Sequence, residues 1–195
     1  MGMQQKHQQH HGFTIVELLI VIVVIALLAA ITLIGYNAVR IRSENTRTIA
    51  NIRQYVSAIR MYNIKTGTYP ITPSESGKSV AMVCLGIGYK DGYCGRISSI
   101  NTYESSSFMD DLQAKSGVSL SAIVSDRYGD VGGENFIGAA YGVDITDSEH
   151  SSTLYARTIQ WHLTGENQDC VLAGAWAYRT EDGNTACEID FEEVQ

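Results

Sequence analysis

The sequence predicts an α+β protein: a long N-terminal α-helix, half transmembrane and half amphipathic, packed on a C-terminal antiparallel β-sheet head. Three observations predict it. Residues 13–34 form an apolar run whose only charge is Glu17. Beyond it, Ala38, Ile41, Ile49, Ile52, Val56 and Ile59 recur at spacings of three, four or their sums, while Arg42, Arg47, Arg53 and Arg60 fall off that stripe. The last third of the chain then switches to short runs of β-branched and aromatic residues between Gly, Asp, Asn and Ser turns.

The elements follow in order. Residues 1–12 (MGMQQKHQQHHG) are a polar leader. Their histidines make a hydrophilic tract, and no metal site is expected from them. The 22 residues 13–34 would rise about 33 Å as a helix, enough to span a bilayer. A secretory signal peptide has a shorter apolar core and a small-residue cleavage site behind it, so this segment reads as retained. No proline interrupts the chain from Phe13 to Tyr69, and Gly67 with Pro70 supplies a stop. One helix of roughly 50 residues, about 80 Å long, is therefore expected. The domain reading is leader 1–12, membrane half 13–35, amphipathic half 36–66 and head 67–195.

Within the head, residues 71–107 are rich in Gly, Ser and Tyr and predict a long loop with short strands. Phe108-Met109-Asp110-Asp111-Leu112-Gln113-Ala114-Lys115 predicts a short helix ended by Gly117. Strands are expected at 136–143, 153–163, 170–178 and 186–191, joined as an antiparallel meander on the second half of the helix. In the third of these, Val171, Ala173, Ala175 and Ala177 would form a small-residue face lying close against a helix.

Composition excludes several functions. The net charge is −7 with only 14 Lys and Arg, so nucleic acid is not predicted as a direct ligand. Ser76-Gly77-Lys78-Ser79 imitates the end of a P-loop, but Thr72 stands where its first glycine should be. His150 and His162 lack a G-x-S-x-G elbow or a triad spacing, and no catalytic residue is expected. Asp126, Asp130, Asp144, Asp147 and Glu149 lack EF-hand spacing and read as solvated turn acids, with no metal and no cofactor. Cys84, Cys94, Cys170 and Cys187 include no C-x-x-C pair. Outside the cytosol they would form disulfides, with three connectivities open.

The most informative stretch is Gly12-Phe13-Thr14-Ile15-Val16-Glu17-Leu18-Leu19-Ile20-Val21. A carboxylate at membrane depth is costly and by default functional. This stretch resembles the N-terminus of type IV prepilins, nearly residue for residue over positions 12–30. Tyr62 followed by Gly67-Thr68-Tyr69-Pro70 also resembles the pilin and pseudopilin pattern, and beyond Pro73 the likeness is architectural.

The resemblance implies cleavage between Gly12 and Phe13 by a prepilin peptidase, which would then N-methylate Phe13. It implies that Glu17 sets axial register by pairing with the α-ammonium of Phe13 on a neighbouring subunit. The chain would thus be a structural subunit of a type IV pilus, not an enzyme. It would be a single-pass membrane protein before assembly and an extracellular homo-oligomeric helical filament after it, with the pilus assembly machinery as partner. The alternatives are a type II secretion or competence pseudopilin and a membrane-anchored binding domain that never polymerises. Sequence proximity favours Cys84 with Cys94 and Cys170 with Cys187, the second closing a C-terminal loop as in many pilins. The membrane run lacks the proline that kinks many pilin helices. Arg40, Arg42 and Arg47 behind the span favour the opposite orientation by charge count alone; the motif and the cysteines on the C-terminal side outweigh that count.

Overall fold

In the computed structural model, the described residues are 13–73, 82–97, 100–126, 128–131, 134–143 and 157–191. Gly12, the Ser76-Gly77-Lys78-Ser79 string, Asp144, Asp147, Glu149 and His150 lie outside them. The chain divides into two compact units, Met1–Arg40 and Ile41–Gln195, and the helix α1 (Ile15–Thr66, 52 residues) contributes to both.

In the first unit the helix is solvent-facing all round. Every residue from Phe13 to Ile31 is exposed, including fourteen large apolar side chains among them, and this part is long and apolar enough to cross a membrane. The apolar period never breaks there, so no face distinguishes an inside from an outside.

In the second unit α1 acquires a buried face. Asn45, Thr48, Ile52, Tyr55, Val56, Ala58, Ile59 and Tyr62 are buried, whereas Arg42, Arg47, Arg53 and Arg60 are exposed. Of the predicted stripe, Ile52, Val56 and Ile59 are core, Ile41 and Ile49 are half-buried, and Ala38 is exposed. The core they join takes Val83, Leu85, Tyr141, Ile159, Trp161, Leu163, Cys187, Ile189 and Phe191 from the sheet, and Phe108, Met109 and Leu112 from a second helix. That helix, α2 (Ser106–Ser116), begins on Ser105, whose hydroxyl accepts the Phe108 N–H, and ends at Gly117.

The strands are β1 (Val83–Cys84), β2 (Tyr93–Ile97), β3 (Ile100–Tyr103), β4 (Tyr128–Val131), β5 (Glu134–Ile137), β6 (Ala139–Val143), β7 (Arg157–Thr164), β8 (Ala175–Glu181) and β9 (Asn184–Phe191). They form one sheet in the order β4-β5-β2-β3-β1-β6-β7-β9-β8. It is mixed: eight pairs would run antiparallel in a pure meander, but β1 pairs β3 in parallel at Val83 and Tyr103. The order also departs from a meander, because β1 enters between β3 and β6, and β9 enters between β7 and β8. The predicted α+β layout, a long helix followed by a sheet, is the observed one.

Three local features have physical reasons. The expected strand at 136–143 is two strands hinged at Gly138, whose φ of 79° is open to glycine at little cost. The chain changes neighbours there, from β4 and β2 to β1 and β7. The expected small-residue face does not form: Val171 takes a positive φ of 55°, Ala173 lies in a turn closed by Ala175 N–H to Leu172 O at 2.9 Å, and Ala177 is exposed on the outermost strand. Lastly, β7 is buried on both faces, Thr158 and Gln160 as well as Ile159 and Trp161. The far edge strand β4 lies against β7, β8 and β9. Gly129 permits that approach, since a Cβ at this position would overlap the His162 imidazole. Under this cover Gln160 donates to the Glu188 carboxylate at 2.9 Å.

Candidate functional site

The first turn of α1 is built by a reciprocal exchange between Thr14 and Glu17. The Thr14 carbonyl accepts the Leu18 N–H at 3.3 Å, which makes Thr14 the N-cap. Its hydroxyl accepts the Glu17 N–H at 3.3 Å. In return one Glu17 oxygen, Oε2, accepts both the Thr14 N–H at 2.8 Å and the Thr14 hydroxyl at 2.7 Å. This is a capping box, T-x-x-E, satisfying donors that a helix start otherwise leaves open. The sequence reading assigned Glu17 to assembly and passed over Thr14. The pattern Thr14-Ile15-Val16-Glu17 ahead of an apolar run was the signal that would have found it.

The box fixes where the acid can act. Both of its contacts use Oε2, and Oε1 holds no hydrogen bond among the described residues. Phe13, one residue before the cap, is 79 % exposed. The carboxylate is thus oriented by its own helix start through one of its two oxygens. Negative charge in a first turn is itself favoured by the helix dipole.

Far along the chain, the head is held by two disulfides. Cys84 pairs with Cys94, and Cys170 pairs with Cys187. The first links β1 to β2 beside Tyr89 in a small separate cluster. The second fastens the loop after β7 to β9 inside the main core. Around that loop Gly165 N–H donates to Gly183 O at 2.7 Å, Thr185 Oγ1 to Gly165 O at 2.7 Å, and Gln168 N–H to Thr185 Oγ1 at 2.9 Å. Asn45 ties it to α1 in both senses, donating to Thr164 O at 2.8 Å and accepting the Thr164 N–H at 3.0 Å.

Asp126 is exposed, and no group of three or more His, Cys, Asp or Glu side chains placed to hold a metal exists among the described residues. His162 is half-buried beneath Gly129. Tyr141, whose hydroxyl donates to Pro70 O at 3.0 Å, has its pKa pushed up to about 12, chiefly by burial, against the opposing influence of Arg157. Arg157 donates to the same carbonyl at 2.8 Å, so the chain leaving α1 is clamped to the sheet.

Residues 8–33 match the family model described as the prokaryotic N-terminal methylation motif, the signature of type IV prepilins. No curated protein and no solved structure matches the chain.

Proposed function

We propose that this chain, a membrane-anchored precursor carrying the prepilin signature, is the structural subunit of a type IV pilus filament and performs no chemistry itself. One observation carries the reading: the sole acid of the apolar segment is held at the helix start by Thr14, the residue after the amino terminus that leader removal would create, with no hydrogen bond to Oε1 among the described residues. Cleavage after Gly12 frees the amino terminus of Phe13. In an apolar filament core an unpaired carboxylate costs several kcal/mol, and a neighbour's ammonium at Oε1 relieves that cost at one axial offset alone. The same apolar surface that serves lipid before assembly then serves neighbouring helices.

A pilus subunit is preferred over a secretion or competence pseudopilin because the Cys170–Cys187 bond fastens a C-terminal loop to the core, suiting a subunit exposed on a filament surface. Prepilin peptidase, the assembly machinery and an extracellular location follow from this reading.

Two measurements test it together. Mass spectrometry of surface filaments should find N-methylated Phe13 as the first residue; intact Met1–Gly12 in that material would sink the proposal. Glu17→Val should remove filaments while the chain still partitions into the membrane, and wild-type filament numbers from this variant would end the register role.

A further inference from the structure

The second half of α1 is strongly basic in an acidic protein. Residues 36–66 carry six Lys and Arg against one Asp or Glu, whereas residues 67–195 carry seven against nineteen. Arg42, Arg53 and Arg60 are spaced by eleven and seven residues, close to whole numbers of helical turns, and so form one row. All three are exposed, and none takes part in an ion pair among the described residues. The fold makes no use of their charge. Three guanidinium groups along about 27 Å of helix make an unpartnered basic face.

The complement of this face is on the same molecule, at the other side's disposal. Glu166 and Asp169 lie in the loop after β7, Glu181 ends β8, and Asp182 lies in the turn between β8 and β9. The Gly165 N–H to Gly183 O bond holds the two turns side by side, and all four acids are exposed. Asn45 fixes this acidic end at its own level on α1 through Thr164. That level is below Arg53 by about 12 Å and below Arg60 by about 22 Å at the helical rise. Within one chain the acids therefore sit under the upper arginines and do not meet them. A second copy shifted up along the helix axis brings its acidic end beside Arg53 or Arg60 of the first.

We infer that the Arg42–Arg53–Arg60 face of α1 docks a second copy of this chain, receiving the acidic turns at Glu166, Asp169, Glu181 and Asp182. Electrostatic complementarity of this kind favours offsets that set acids beside arginines and penalises those that set like charges opposite each other. The excess of acids in residues 67–195 repels a nucleic acid or another polyanion approaching the same face, which favours a copy of the chain as occupant. The inference rests on the filament reading for its geometry, yet it concerns a contact the apolar segment does not make.

The test uses the full chain with Arg53→Lys and Arg60→Lys, which keep the charge and supply amines to a zero-length carbodiimide. Membranes and filaments are cross-linked, dimer-sized products are separated, and the joined peptides are mapped. Position 53 or 60 should be joined to Glu166, Asp169, Glu181 or Asp182 in dimers. The yield should fall about tenfold with Glu181→Gln and Asp182→Asn together, and should fall with added salt. Filaments present with these links absent, or links confined to monomers, would overturn the contact and leave the filament reading standing. Links present in membranes without filaments would uphold the contact while the filament reading fails. Protection of the two amines by a short DNA duplex instead of by a second copy would overturn it in favour of a polyanion site.

Discussion

The two halves of α1 share one secondary structure and meet opposite fates. From Phe13 to Ile31 no residue is covered, although almost all are apolar; from Asn45 to Tyr62 one face is buried and the other carries arginines. The difference lies in pattern, not in hydrophobicity. An amphipathic stripe tells the chain which side to cover, and the head covers it. An all-round apolar surface can be satisfied only by an environment, either lipid or other helices. The first half is therefore finished by something outside the chain, and the second by the chain itself.

The sharpest way to break this comparison is to truncate equivalent residues in the two halves. Ile52 is fully buried among Tyr55, Ile59 and the sheet, so Ile52→Ala should destabilise the head by about 2–5 kcal/mol. Ile20, 57 % exposed, should leave head unfolding unchanged when truncated in the same way. The readout is denaturant unfolding of the full chain in detergent, followed by the fluorescence of Trp161 and Trp176, both of which lie in the head. Equal losses from the two variants would mean that the halves are not energetically separate.

The disulfides give the next effect. The Cys170–Cys187 bond spans 17 residues, and closing a loop of that size in the unfolded chain is worth about 3 kcal/mol by the chain-entropy model. Replacing both cysteines by alanine should lower the unfolding midpoint by that amount and free the loop that carries Glu166 and Asp169. The same replacement at Cys84 and Cys94, whose bond spans 10 residues, should cost less, because the shorter loop loses less entropy and its cluster is small. A larger loss from the second pair would reverse this ranking. Proteolysis of the 165–174 loop offers an independent check.

A smaller effect belongs to the helix start. Thr14→Val removes the hydroxyl from both sides of the capping box but keeps shape, and should cost about 1 kcal/mol of local helix stability. Amide exchange of Glu17 and Leu18 should quicken while the head is unaffected. Filament yield should fall less than with Glu17→Val, since the acid remains and only its orientation is loosened. Loss of all filaments from Thr14→Val would make orientation as important as charge.

What was legible in the sequence follows the same division. Signals read from neighbours along the chain were decisive: the apolar run, the stripe through Ile52, Val56 and Ile59, the helix ended by Gly117, and the prepilin signature around Glu17. Contacts between distant segments were not. The parallel β1–β3 pair joins Val83 to Tyr103 through intervening structure that no local period encodes. Asn45 and Thr48 interrupt the apolar stripe, and their burial makes sense only once Thr164 stands opposite Asn45. The strand expected at 153–163 could not foretell that β4 would close over β7. The Ala173–Ala177 pattern was true to strand periodicity and failed because the chain turns at Val171 before the strand begins. At the helix start the error ran the other way, since the capping-box pattern was local and went unused behind the stronger prepilin signal.

The smallest expected effect is a pH dependence on the side of the head where α2 meets α1. Tyr62 donates to Asp111 at 2.9 Å, Lys115 donates to Tyr62 at 3.1 Å, and Lys115 reaches Asp111 at 2.8 Å. The Lys115 hydrogen bond holds the Asp111 carboxyl below its ordinary value against the opposing effect of burial, and the Tyr62 hydrogen bond adds to the lowering. A depressed carboxylate pKa stabilises the fold above the unfolded pKa, and the gain is lost as pH falls through the folded one. Lys115 is shifted upward by the same hydrogen bond, which it donates to Asp111, so its share is present below its unfolded pKa and lost as pH rises past the folded value. The pair therefore supports α2 across the whole neutral range and fades at both ends. Both side chains are nearly half exposed, so water screens most of the attraction. Asp111→Asn should flatten the acid limb of the stability–pH curve by a small margin and leave neutral stability almost unchanged, as measured by thermal melts from pH 2 to pH 7. An acid limb identical to that of the parent chain would show that Tyr62 and the surrounding core, not the charge, hold α2 in place.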